Sequence, residues 1–234
     1  MRKVTAGLFY SIDGVAEAPD QFQFDSFDDE LGMMLGAVME RVDTVLMGRV
    51  GYEEWAGYWP TAEQDEGFAR FINSVPKFVA SRTLKGSLDW QNSTLVADDL
   101  EAFVRDLKGK PGGEIAVMGG MSLVRQLLLA GLMDEMTLIV HPVIAGTGRR
   151  LFEDGTPTTR LELKESTRTS KGNMVLTYGP RADLSGKGRE RSRPQFHVLT
   201  TQLSKSRPLA RHCHIPAIQG DVPCPCPPFA TSEP

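Results

Sequence analysis

Two adjacent glycines, Gly119 and Gly120, stand between a short apolar run, EIAVM (114–118), and a stretch with helical apolar spacing, SLVRQLLLAGL. A residue without a side chain suits a sharp turn, or a place where a ligand must lie against the peptide plane. If a helix begins just beyond, its first N–H groups lack partners and favour an anion. Together with the hydroxyl of Ser122 they could hold a pyrophosphate. A tight turn alone would place the same glycines, so both readings stand. Two other apolar runs are followed by polar candidates: Arg49 comes after TVLM, and Ser81 with Arg82 after KFVA. Two guanidinium groups and a hydroxyl at one sheet edge would suit the 2′-phosphate of NADP, whereas either arginine alone reads as a solvated surface residue. Asp13, in SIDG at the end of the first apolar run, is either an Asx-turn residue or a carboxylate beside a ligand cleft. His141, within TLIVHPVI, reads as structural.

Some chemistries are excluded. No G-x-G-x-x-G follows the first apolar run, which argues against a Rossmann domain, and no G-x-S-x-G elbow is present. The three cysteines, Cys213, Cys224 and Cys226, all lie near the C-terminus. The first 212 residues therefore hold neither a disulfide framework nor a thiol nucleophile. HCH and CPC near the end lack the usual C-x2-C ligand spacing, so no metal site is expected.

The elements that must position these residues alternate. KVTAGLFYSI is a strand; SFDDELGMMLGAVMERVD is a helix, with Ser26 and Asp29 spaced as a capping box. TVLMG is a strand and AEQDEGFARFINSV a helix. KFVAS and STLVA are strands, DDLEAFVRDLKG a helix, EIAVM a strand, and EMTLIVHPVI a long strand. RLELKESTRT and NMVLTYG form a hairpin across SKG. The expectation is an α/β fold with a mixed, mostly parallel sheet and an antiparallel C-terminal edge. Residues 1–180 form this body. From 181 to 234 the chain is rich in Pro, Ser and Arg without sustained periodicity, and reads as a disordered tail. The tail has eight basic and four acidic residues, so the net charge of -4 leaves the body eight units negative, with no general reason to bind nucleic acid. No apolar run is long enough to cross a bilayer. MRKVTAGLFYSIDGVAEA has some features of a secretory signal, but Ser11, Asp13 and Gly14 interrupt it. A cytoplasmic protein is expected.

SIDG, RVDTVLMGR and VMGGMSLVRQLLLAGLMDEMTLIVHPVIAGTGRRLF together resemble the dihydrofolate reductase-like superfamily, and most closely the RibD C-terminal domain, over residues 1–180. The resemblance implies a three-layer dihydrofolate reductase-like fold that binds NADPH at the carboxyl ends of its strands, as a homodimer. It assigns Gly48 and Arg49 to the cofactor, Ser81 and Arg82 to the adenosine 2′-phosphate, and Gly119, Gly120, Met121, Ser122 and Leu123 to the pyrophosphate loop. There are departures. The pterin-gripping carboxylate of dihydrofolate reductases falls at Gly32, with Asp29 and Glu30 a turn or less away. Riboflavin reductases tend to carry a glutamate where Met118 stands and an arginine that AGYWPTAEQDEG lacks. Their zinc deaminase partner domain is absent.

The activity expected is NADPH-dependent reduction of a small heterocyclic or conjugated substrate, like 5-amino-6-(5-phosphoribosylamino)uracil reductase of riboflavin biosynthesis. The alternatives are dihydrofolate reduction proper and an NADPH-binding protein without turnover. Tyr52, Trp55 and Tyr58 could stack on a flat substrate, or could be loop packing. Asp13 or Glu30 could orient it or relay a proton.

Overall fold

The computed structural model describes residues 1–181. His212, Cys213, His214, Cys224 and Cys226, and the expected disordered tail, lie outside the described residues. The chain runs β1 (Val4–Tyr10), α1 (Asp20–Gln23), α2 (Asp29–Arg41), β2 (Val42–Gly48), α3 (Arg49–Ala56), α4 (Glu66–Ser74), β3 (Lys77–Ala80) and β4 (Ser93–Val96). It continues through α5 (Leu100–Gly109), β5 (Glu114–Met118), α6 (Met121–Leu129), β6 (Glu135–Val140), β7 (Leu161–Arg168) and β8 (Met174–Pro180). The strands form one sheet in the order β4-β3-β2-β5-β1-β6-β8-β7. β1 to β6 are parallel, β8 is antiparallel to β6, and β7 is antiparallel to β8. This is the mixed sheet with an antiparallel edge that the strand and helix pattern predicts. No described helix is long and apolar enough to cross a membrane.

The layers follow from crossover handedness. From β1 through β2 and β3 to β4 the chain steps one way across the sheet. From β4 through β5 to β6 it steps back. Right-handed crossovers then place the connecting helices on opposite faces. The core divides accordingly. Val45, Met47 and Ala116 pack with Tyr52 of α3 and Ile72 of α4 on one face. Leu46, Ile115, Val117, Val4 and Ala6 pack with α5 and α6 on the other. Phe9, Ile139 and Val175 lie with Leu31, Met34 and Leu35 of α2, in a third cluster. Phe9 alternates with Ala6 along β1, so α2 lies on the α3 and α4 face.

Three local features differ from expectation. The helix α2 is capped by Asp28, whose carboxylate accepts from the Leu31 N–H at 2.9 Å, and not by Ser26. A cap of this kind is worth about 1 kcal/mol. MGRVGYEEW, given no element by its pattern, is helix α3 after Gly48. β6 ends at Val140, before His141, because Pro142 cannot extend the ladder.

Lys77 is fully buried at the start of β3. Its ammonium donates to the carbonyls of Ile72 (2.8 Å) and Val75 (2.9 Å) and lies 4.5 Å over the Trp90 ring. Three N–H bonds thus meet three acceptors, and the end of α4 is fastened to the sheet.

Candidate functional site

β2 and β5 are neighbours, with Met47 opposite Met118, yet the helices that follow them leave toward opposite faces. In open α/β sheets such a divergence leaves a crevice at the carboxyl ends of the strands. Here the crevice is a cavity of about 230 Å³. Gly48, Arg49, Val50 and Gly51 line it from one side, Gly119, Gly120, Ser122, Leu123 and Gln126 from the other, with Ala80 and Leu100 between.

Glycine is required here for two separate reasons. The first is contact between two loops. A Cβ on Gly51 would stand 1.7 Å from the carbonyl oxygen of Gly119, so the backbones touch. Gly119 itself has φ +64°, a left-handed conformation that favours glycine. The second is open space. Gly48 has ordinary extended geometry (φ -83°), and a Cβ there would meet nothing within 4 Å, in a residue that lines the cavity.

Gly48 and Gly120 are also the N-caps of α3 and α6, and neither end receives a side-chain cap. In α6 the first intrahelical bond is from Val124 to the Gly120 carbonyl, at 3.1 Å. The N–H groups of Met121, Ser122 and Leu123 therefore lack intrahelical acceptors, as do those of Arg49, Val50 and Gly51. Two uncapped helix N-termini converging on one cavity give a positive, donor-rich wall without a formal charge.

The remaining predicted residues lie at varying distances from it. Arg49 is half exposed, and its guanidinium reaches Glu53 one turn on, at 2.6 Å. Gly48 pairs with Ala80, so Ser81 and Arg49 follow adjacent strand ends. The Ser81 hydroxyl accepts from the N–H groups of Thr83 (3.2 Å) and Leu84 (3.0 Å), which shapes the turn carrying the exposed Arg82. Met121 is partly buried and Leu123 is core, so Leu123 can offer a ligand only its backbone.

The expected aromatic platform takes a different form. Tyr52 is a core residue, 6% exposed, whose ring packs on Trp90 and whose hydroxyl accepts the Trp90 N–H at 3.1 Å. It has no free face for a substrate. Trp55 packs edge-on to Trp59 and Phe68, and Tyr58 edge-on to Trp59.

Nor do the two carboxylates reach the cavity. Asp13 accepts from the Ser11 hydroxyl (2.7 Å) and from the N–H groups of Ala145 and Gly146 (2.9 Å each). The Ser11 hydrogen bond first, and these amides after it, hold its carboxyl down at about 2. Asp13 is therefore ionised at neutral pH and clamps the loop after β6; it has no proton to relay. Glu30 accepts from the Ser170 N–H at 2.7 Å, in the turn between β7 and β8.

That contact orients α2. Gly32 and Gly36 stand roughly 200–240° around the helix from Glu30, on the flank away from the β7–β8 turn. Between this flank and α3 lies the middle of β1. Gly7 is exposed there, on the α2 and α3 face, and a Cβ on it would meet nothing within 4 Å. The same holds for Gly36, and Gly32 has only Phe27 near, at 3.9 Å. Gly7 thus leaves bare, exposed backbone at the middle of β1. The sequence reasoning passed over Gly7, Gly51, Leu100 and Gln126. Only Gly51, three residues after Gly48, carried a signal in its spacing.

Residues 2–175 match the RibD C-terminal domain. The chain is 29% identical over 181 residues to the uncharacterized protein YyaP of Bacillus subtilis (strain 168), covering 76% of this chain and 94% of that one. A solved structure from Shewanella sp. PV-4, named for riboflavin biosynthesis, superposes with a TM-score of 0.60 at 22% identity, covering 76% of this chain and 99% of that chain. A Thermotoga maritima protein, named as a diaminohydroxyphosphoribosylaminopyrimidine deaminase and 5-amino-6-(5-phosphoribosylamino)uracil reductase, gives a TM-score of 0.55 at 13% identity, covering 77% of this chain and 57% of that chain.

Proposed function

The chain belongs to the RibD C-terminal domain family, and from that premise we propose that it is an NADPH-dependent reductase of a flat, conjugated small molecule. The observation that carries the reading is the convergence of two uncapped helix N-termini on one cavity walled by side-chain-free backbone. That donor set fits a pyrophosphate. The N–H groups of Ser122 and Leu123, with the Ser122 hydroxyl, would hold it, and Gly48 keeps the approach open. Arg49 and Arg82, beside Ser81, would meet the 2′-phosphate, since both follow adjacent strand ends.

NADPH, when bound, supplies the hydride. The rest is positioning. A flat ring would lie on the exposed backbone at Gly7, where no side chain stands. No carboxylate stands at Gly32 to grip a protonated pterin, so a neutral heterocycle or conjugated carbonyl fits better than folate. A proton needed by the reduced product would come from water. Asp13 stays ionised and does not take part. The chain is expected to act as a homodimer in the cytoplasm.

A fluorescence titration with NADPH and NADH tests this reading, using Trp55 in α3 and Trp59 just after it as reporters. Saturable quenching, tighter for NADPH, is expected, followed by NADPH oxidation with a conjugated heterocycle. Absence of response to both cofactors, confirmed by thermal shift, would overturn it.

A further inference from the structure

His141 is the single histidine among the described residues, and its side chain is completely buried. Both ring nitrogens face the segment that joins β1 to α2. Nδ1 is 2.7 Å from the Ser26 hydroxyl and Nε2 is 3.4 Å from the Gln23 side-chain nitrogen. The ring of Phe22 packs edge-on to the imidazole, with centroids 6.1 Å apart. The turn between β7 and β8 completes the fastening. Asn173 donates to the Ser26 carbonyl at 2.7 Å, and Lys171 to that of Asp25.

The hydrogen-bond chain fixes the tautomer. Ser26 has one hydroxyl proton and gives it to the Gln23 carbonyl. Its oxygen must therefore accept from Nδ1–H, which leaves Nε2 as an acceptor for the Gln23 amide. A proton on Nε2 would face the Gln23 amide nitrogen, so that amide must turn over, and it would place a charge in a closed site. Burial outweighs the Asn173 side chain and the Asp28 carboxylate, which both favour the charged ring. The Asp28 carboxylate is already committed to Leu31 and Asn173, and Asp25 and Lys171 sit at the rim.

The segment is also held against its backbone preference. Phe24 has φ +42° and Ala18 φ +45°, conformations unfavourable for residues with a Cβ, and Phe24 is 75% exposed. Residues 22–26 form one wall of a cavity of about 370 Å³, opposite Pro142, Val143 and Lys171.

We propose that His141 is a positioning residue that latches this segment. Neutral, its ring holds residues 20–28 against β6 and the β7–β8 turn; protonated, it lets them go, so mild acid opens the cavity they wall. Desolvation holds the ring below its ordinary 6.5 while the segment is closed. The open state takes up the proton first. The closed state is therefore fully favoured above about pH 6.5 and loses ground as the pH falls, by up to about tenfold per unit.

Hydrogen exchange of the full chain at pH 7.5 and 5.5, corrected for the intrinsic pH dependence of exchange, tests the latch. Protection of residues 20–28 is expected to fall at pH 5.5, by up to about tenfold, with β1 and β5 unchanged. Gln23→Glu puts an acceptor opposite Nε2 and should remove or reverse the acid opening. Ser26→Ala should lower protection about fivefold at pH 7.5, the worth of one hydrogen bond, and keep the pH response. His141→Phe should leave the segment open at both pH values. Equal protection at both pH values in the unaltered protein, or an acid response undiminished by Gln23→Glu, would overturn the proposal.

Discussion

Two alanine substitutions, three residues apart, separate the two reasons for glycine at the β2–α3 junction. Gly48→Ala adds a methyl where nothing lies within 4 Å and the backbone is already extended. Alanine restricts the unfolded chain, a gain of about 0.4–1 kcal/mol, but caps a helix less well than glycine, a loss of similar size. The melting temperature should therefore move by no more than about 4 °C. The methyl does project into the cavity of about 230 Å³. Overpacking of a fitted ligand costs about 1–3 kcal/mol, which weakens NADPH binding by roughly 5- to 150-fold. Gly51→Ala does the opposite. Its Cβ would fall 1.7 Å from the Gly119 carbonyl oxygen, backbone against backbone, so both loops must part. A cost of about 3 kcal/mol or more lowers the melting temperature by about 6 °C or more. Thermal melts with and without NADPH, and the fluorescence titration, read both variants. Gly48→Ala that binds NADPH like the unaltered protein would remove the cavity from the cofactor site. Gly51→Ala that melts normally would show the loop contact to be inconsequential.

Arg82→Ala and Arg49→Ala should each weaken NADPH much more than NADH; equal loss for the two cofactors in parallel titrations would sink the 2′-phosphate assignment. Asp13→Asn should lower the melting temperature at pH 7, because the clamp on Ala145 and Gly146 favours the ionised carboxylate. Its contribution is present above about 3.8 and fades as the pH falls toward about 2, so melts of the two proteins should converge in acid. Lys77 is held down to about 8 by desolvation. Between there and 10.5 the unfolded chain binds the extra proton, so stability relative to Lys77→Met should rise with pH over that interval in paired denaturant titrations.

Periodicity in the sequence was enough to locate most of the sheet, because the inner strands are apolar runs closed by turn residues and the last two read as alternating runs across a turn. It missed α3, since RVGYEEWA has a glycine at its third position and few apolar residues to set a period. Strand order was not legible either. Nothing local says that β5 inserts between β1 and β2, and that insertion is what brings Gly48 beside Gly120. The candidate site was legible where chemistry showed in residue type, as in Gly119, Gly120 and Ser122. It was misleading where a side chain had a structural use that only tertiary contact reveals. Tyr52 supports the Trp90 backbone, Glu30 holds Ser170, and Asp13 binds a loop more than 130 residues away.

The turn and the ligand explanations of Gly119 and Gly120 are not rivals in this fold. A crevice exists because α3 and α6 diverge from adjacent strands, and divergence alone would leave their first turns mobile and far apart. The Gly51–Gly119 contact pins the two turns together and Gly120 packs close on Gly48, a Cβ on it falling 3.4 Å from the Gly48 nitrogen, while the absence of a side chain at Gly48 leaves open space beside the cavity. The close contacts of Gly51, Gly119 and Gly120 thus set the distance between two sets of free N–H groups, and Gly48 sets what can enter. A site built this way binds through backbone that is already in place, and little ordering remains to offset the gain on binding. It also has little tolerance, since any side chain at the contact displaces both helix ends at once. Substitutions at the contact should therefore reduce stability and binding together, and those at the opening should reduce binding alone.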